Sequence, residues 1–195
     1  VRRAAAVHAR AIDATSFTID RSFTLADLFE TKATQAYGIT WDGSSIWISV
    51  AGDSNSLAQI DPTTGAIIKA ISSPTEDGPS DLDFDGTDLW LSTGTGDAFQ
   101  MTTPNGTTLK HFSLPLGSQR DDGIAFRTGE LFVGELFGGI EVYDPSSGNM
   151  IGSVVHEDGT AFDQTEMGPP VFAGDDFVML SSLGITKYQA IKYVP

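Results

Sequence analysis

Carboxylates carry most of the chemistry available to this chain. Asp81-x-Asp83-x-Asp85-Gly86 opens like a calcium loop. Such a loop needs a bidentate carboxylate at its twelfth position, where Ser92 stands, so the run reads as a hairpin turn. His8, His111 and His156 have no metal-site spacing. His156 heads the acidic segment from Glu157 to Glu166 and is the candidate for general acid–base work, because imidazole titrates near neutrality. His111 falls on an outer strand, where a surface hydrogen bond is expected. No Gly-x-Ser-x-Gly elbow, phosphate loop or dinucleotide fingerprint occurs. The absence of Cys excludes disulfides and thiolate metal sites.

These residues are positioned by a repeat of about forty residues, the length of one propeller blade. Ile39-Thr40-Trp41-Asp42-Gly43 runs into Ile46-Trp47-Ile48-Ser49, and Leu82-Asp83-Phe84-Asp85-Gly86 into Leu89-Trp90-Leu91-Ser92. Ile124-Ala125-Phe126 leads through Gly129 to Leu131-Phe132-Val133, and Val171-Phe172 leads through Gly174 to Phe177-Val178-Met179. The first-strand aromatics Trp41, Phe84, Phe126 and Phe172 are 43, 42 and 46 residues apart, and the second-strand residues Trp47, Trp90, Phe132 and Val178 follow six later in every copy. Turns such as Asp61-Pro62-Thr63-Thr64-Gly65 and Asp144-Pro145-Ser146-Ser147-Gly148 then lead to a further strand, Pro fixing φ and Gly accepting a positive φ.

The sequence therefore predicts an all-β chain, a β-propeller of four-stranded antiparallel blades in four repeats. Four blades would make a small closed ring or part of a larger propeller. The whole of 1–195 reads as one domain, with blades at about 37–74, 79–115, 121–156 and 168–195. Residues 1–15 read as a leader remnant or a short helix. The apolar strand from Phe23 to Phe29 has no blade of its own, and the last blade lacks an outer strand. Residues 16–30 are therefore expected to close the ring there. The repeated aromatics are expected to pack between blades rather than to stack sugars.

The blade pattern from Tyr37 to Ala190 resembles the bacterial YVTN, NHL and virginiamycin-lyase-like propellers. Asp122-Gly123-Ile124-Ala125-Phe126 through Leu131-Phe132-Val133 to Asp144-Pro145 resembles one blade of the SMP-30/gluconolactonase family. That resemblance implies a divalent metal, calcium or magnesium, held by Asp122. Four residues before each anchor aromatic stand Tyr37, Ser80, Asp122 and Gly168. Of these only Asp122 matches the family's ligands, and Glu166 lies two positions out of register with its Glu-Gly-Pro motif.

Lys and Arg total 11 against 26 Asp and Glu, a formal charge of -15. A phosphate backbone would be repelled, which excludes nucleic acid as a partner, while cations or a basic surface would be attracted. No apolar run is long enough to span a membrane. The links after the second and fourth strands of each blade open at one end. They hold Asp121, Asp122, Glu135 and Glu166, with Arg120 as counter-charge and Tyr37 on the neighbouring first strand. This acidic end is the expected ligand-binding face. The leading reading is a non-catalytic module that binds a small ligand, cation or protein. The alternatives are a divalent-metal-dependent hydrolase or lyase, and a structural segment of a larger assembly, including a homodimer. A secreted-type propeller of this kind is expected to be extracellular or periplasmic.

Overall fold

The computed structural model describes residues 10–11, 22–23, 33–52, 56–76, 78–114, 121–135, 139–155, 159–160, 170–173, 176–181, 184–188 and 192–194. Every regular element among them is a β-strand. The chain divides into two compact units, residues 14–114 and residues 1–13 with 115–195. The first strand, β1 (Arg10–Ala11), belongs to the latter.

The 14–114 unit holds two antiparallel four-stranded sheets. The first runs β2 (Ala33–Trp41), β3 (Ile46–Gly52), β4 (Ser56–Ile60), β5 (Ile67–Ser72) in sequence order. The second runs β6 (Pro79–Phe84), β7 (Asp88–Thr93), β8 (Asp97–Thr102), β9 (Thr108–Ser113). Alternation along each strand sends side chains to opposite faces. Trp47, Leu57 and Ile71 from the first sheet pack with Leu82, Leu89, Leu91, Phe99 and Met101 from the second, and Phe84 lies partly buried against them. The other face of the first sheet carries a second cluster of Ile48, Val50, Ala58 and Ile60, with Ile46 beside it. The first sheet therefore has two apolar faces, as a sheet stacked on both sides requires.

The turn between the first two strands is built around one carboxylate. Asp42 Oδ1 accepts the backbone N–H groups of Ser44 (2.8 Å) and Ser45 (2.7 Å). Its Oδ2 accepts the indole N–H of fully buried Trp47 (2.8 Å) and the amide of Gln59 (3.2 Å). Asp85 repeats the arrangement with Thr87 N (2.9 Å), Asp88 N (2.8 Å), Trp90 Nε1 (3.0 Å) and Gln100 Nε2 (3.0 Å). A buried indole needs an acceptor, and this Asp supplies it. Asp81-x-Asp83-x-Asp85 is thus a strand and its turn, as its repeat position implies. Burial acts to raise the Asp42 carboxyl, but the Ser44, Ser45 and Trp47 hydrogen bonds outweigh it and hold its pKa at about 2.

The other unit contains a five-stranded sheet, β10 (Asp121–Arg127), β11 (Glu130–Glu135), β12 (Gly139–Tyr143), β13 (Met150–Val155) and β17 (Lys192–Val194). Its second sheet is β14 (Pro170–Ala173), β15 (Asp176–Ser181), β16 (Gly184–Tyr188) and β1. In the first of these sheets the turn network is replaced as a set. Arg127, Phe132 and Val142 stand where Asp42, Trp47 and Gln59 stand. A phenyl ring has no N–H to satisfy, and the turn closes instead through Thr128 (φ 51) and Gly129 (φ 83), both left-handed as a two-residue hairpin loop requires.

Two edge pairings were not expected. The strand beside β16 is Arg10–Ala11, with Arg10 opposite Lys187 and Ala11 opposite Thr186. Residues 16–21 and 24–30 of the expected segment lie outside the described residues. Phe23 lies instead within the 14–114 unit, where a Cβ on Gly65 would fall 2.4 Å from its ring. Arg10 and Ala11 are extended, and the rest of residues 1–15, read as a leader remnant or a short helix, lies outside the described residues. The second such pairing is β17, which adds a fifth strand to β13 through Ser153↔Val194 and Val155↔Lys192. Both additions cover edges that would otherwise present unpaired N–H and C=O groups.

Candidate functional site

In three sheets the first strand breaks register near its start. A register shift lies between Ala36 and Ile39 in β2 (which has a further one between Ala33 and Gln35), between Pro79 and Asp81 in β6, and between Asp121 and Gly123 in β10. In each case the first strand advances one residue more than its partner. The extra residue is Tyr37 or Gly38 in β2, Ser80 in β6 and Asp122 in β10. Tyr37, Ser80 and Asp122 are the residues that the repeat already aligns. A β-bulge bends the strand and re-aims a side chain, and bulges are common beside binding sites.

The bulge in β2 is supported locally. It takes the Gly38 N–H out of the ladder, and the buried Ser49 hydroxyl accepts it at 2.7 Å. Gly38 also lies hard against β6. A Cβ there would sit 2.4 Å from Asp81 Oδ1 and 2.6 Å from the Leu82 nitrogen. One turn of the pleat further on, Thr40 Oγ1 donates to Asp83 Oδ1 at 2.8 Å. Ser92 is the counterpart of Ser49 in the second sheet, opposite Asp81 in register. It is fully buried, and its Oγ has no hydrogen-bond partner.

The expected ligand-binding residues divide as follows. Tyr37 is exposed, and its hydroxyl donates to Gln35. Asp121 and Glu135 are directly opposed across the β10–β11 ladder, with Asp122 at the adjoining bulge. Arg120, His156 and Glu166 lie outside the described residues. Among the described residues, no group of three or more His, Cys, Asp or Glu side chains is disposed to hold a metal.

Sequence reasoning missed a polar cluster at the same end of the second sheet. Asp97 Oδ1 meets His111 Nε2 at 2.9 Å and accepts the Ser113 hydroxyl at 2.8 Å. The His111 ring stacks on Phe99, with centroids 4.4 Å apart. Burial acts to raise the Asp97 carboxyl, but the His111 and Ser113 hydrogen bonds lower it overall. The signal was in the alternation of β9, which puts His111 and Ser113 on one face. The expected surface hydrogen bond of His111 is this one.

The repeated antiparallel sheets define the chain as a β-propeller type. No protein-family model matches it, and no curated protein matches it significantly. Among solved structures it is similar to the computationally designed Ika4 protein, at 18% identity and TM-score 0.54, covering 82% of this chain and 92% of that one. It is similar to the designed Ika8 protein at 17% identity and TM-score 0.53, covering 81% of this chain and 46% of that one. It is also similar to the glutaminyl cyclase of Myxococcus xanthus, a propeller, at 14% identity and TM-score 0.59, covering 75% of this chain and 65% of the enzyme. The chain thus spans less than two thirds of the last two. These likenesses are of fold.

Proposed function

We propose that this chain is a non-catalytic propeller module that binds a small ligand, cation or protein at the bulged end of its sheets. The observation that carries the reading is the recurrence of one irregularity at Tyr37, Ser80 and Asp122 in three different sheets. Three repeats of the same backbone device at chemically different residues fit a shared frame that presents varied side chains. The unpartnered hydroxyl of Ser92 lies opposite Asp81, next to one of these bulges. Buried polar groups without partners are uncommon and call for a ligand or a water.

A second reading is favoured by the bulge at Asp122 and by Asp121 facing Glu135 across the ladder. In this reading the chain is a divalent-metal-dependent hydrolase or lyase that resembles SMP-30/gluconolactonase, with calcium or magnesium held by Asp122. Both readings predict a cation response, which thermal melting tests. A cation that prefers the folded chain raises Tm by mass action. Calcium or magnesium is expected to raise Tm, and Asp122→Asn to remove most of the increase, while Asp85→Asn keeps it. Equal ion-induced increases in the two variants would mean that the ion only screens the -15 charge. Hydrolysis of a lactone lost in Asp122→Asn would favour the second reading over the first.

A further inference from the structure

The turn between β8 and β9 closes differently from its counterparts between β4 and β5 and between β12 and β13. One backbone bond is common to all three, Gly65 N–H to Asp61 O, Gly106 N–H to Thr102 O and Gly148 N–H to Asp144 O. The Asp61 and Asp144 carboxylates also accept the N–H groups that follow them. Thr102 stands at that position in the β8–β9 turn and has no carboxylate to offer. Asn105 supplies the acceptor instead. Its Oδ1 accepts the Thr102 hydroxyl at 2.6 Å, the Thr107 hydroxyl at 2.9 Å and the Thr107 N–H at 3.2 Å.

Asn105 is exposed, and of the three Asn residues it alone precedes a Gly. With no side chain on the next residue, the backbone nitrogen of Gly106 reaches the Asn105 carboxamide readily in an unfolded chain. That nitrogen loses its proton and bonds to Cγ, the Cγ–Nδ2 bond breaks, and ammonia leaves a cyclic imide. Water then opens the ring at Cγ to give Asp, or at the main-chain carbonyl of Asn105 to give an isoaspartyl link with one more carbon in the backbone.

The folded turn opposes the first step. Gly106 N–H is held on Thr102 O at 2.9 Å, so the nucleophilic nitrogen keeps its proton. Gly106 has φ 72 and lies against β5, where a Cβ on it would sit 3.2 Å from the Ile71 side chain. Lys69 Nζ, on the same strand, donates to Thr103 O at 3.2 Å. The donors on Oδ1 fix the carboxamide. They also polarise its carbonyl, but polarisation accelerates attack only when a nucleophile is free.

We infer that Asn105 is a covalent modification site, converted to Asp or isoaspartate through its own cyclic imide, and that the turn sets the rate by holding the Gly106 N–H and the Asn105 carboxamide on other partners. The turn lies at the end of its sheet away from the bulges, so the inference is independent of the ligand-binding reading. Asp at this position keeps the acceptor. An isoaspartyl link lengthens the turn inside the Thr102 N–H to Thr107 O bond (3.0 Å) and loosens the contact with β5.

The test incubates the full chain at mildly alkaline pH, folded and in urea, and follows conversion of amide to acid at each Asn by peptide mass spectrometry. In urea Asn105 should react faster than Asn55 and Asn149. In the folded chain its reaction should slow by about tenfold or more, because it waits on local opening. Thr102→Val and Thr107→Val each remove one hydroxyl donor and should speed the folded-state reaction about threefold to tenfold, with the rate in urea unchanged. Two variants keep the test valid if one fails to fold, and Thr107→Ser, which retains the hydroxyl, should react like the wild type. Equal rates in the folded chain and in urea would overturn the inference. So would valine variants that react no faster than the wild type when folded, since the hydroxyls would then not restrain the carboxamide.

Discussion

Gly38→Ala tests whether β2 and β6 are held together by close backbone approach. The added methyl would lie 2.4 Å from Asp81 Oδ1, 2.6 Å from the Leu82 nitrogen and 2.7 Å from the Asp81 Cα. The carboxylate can swing away, but the other two atoms are backbone, so the strands must part. Overpacking of this kind costs about 1–3 kcal/mol. Against it stands a gain of about 0.4–1 kcal/mol from a stiffer unfolded chain. A net loss of about 1–2 kcal/mol lowers Tm by about 2–8 °C in a chain of this size. Parting the strands also strains the Gly38 N–H to Ser49 Oγ bond, which pushes the loss toward the upper end. The assay is thermal unfolding followed by far-UV circular dichroism, with Gly94→Ala as control. Gly94 has only Ser80 Oγ near its would-be Cβ, at an ordinary 3.5 Å, so that variant should melt at or slightly above the wild type. Adding Asp81→Ala to Gly38→Ala should recover part of the loss. A Gly38→Ala variant as stable as the wild type would refute the close-approach argument. Full recovery in the double variant would reduce it to a clash with one flexible carboxylate.

Two further outcomes follow from the turn network. Trp90→Phe removes a hydrogen bond to a charged acceptor and should cost about 1.5–3 kcal/mol. Asp85→Asn should be coupled to it by at least about 0.5 kcal/mol in a double-mutant cycle, and additive losses would mean that the indole and carboxylate act independently. Asp42 is depressed to about 2 in the folded chain from an ordinary value near about 3.9. Its contribution is therefore complete above that ordinary value and is lost as pH falls toward 2. Asp42→Asn should flatten the acid limb of a stability-against-pH curve, and an unchanged limb would show that other carboxylates set it.

The architecture was readable because a constant six-residue step between first- and second-strand residues survives the change from Trp to Phe to Val. That step fixes strand register, which packing cannot alter without turning every side chain to the other face. The turn network was half readable. Asp42 and Asp85 stand five residues before their Trp, but Gln59 and Gln100 join only through pairing with the third strand. The strand Arg10–Ala11 was not readable, because two residues carry no period. The bulges were not readable either, since an extra residue in a first strand looks like ordinary loop sequence. Tyr37, Ser80 and Asp122 were nevertheless aligned by counting back from the anchors.

The described carboxylates act as acceptors that hold the sheets together. At the turn end, Asp42 and Asp85 each accept backbone, indole and amide N–H groups. Asp61 accepts Thr63 and Thr64 N–H, and Asp144 accepts Ser146 and Ser147. The Ser146 bonds hold the Asp144 carboxyl below its ordinary range. A cation approaching any of these must displace donors that stabilise the charge and hold the turn. At the bulged end of the second sheet Asp97 is likewise held, by His111 and Ser113. The carboxylates whose hydrogen bonds are described are therefore structural at both ends of that sheet.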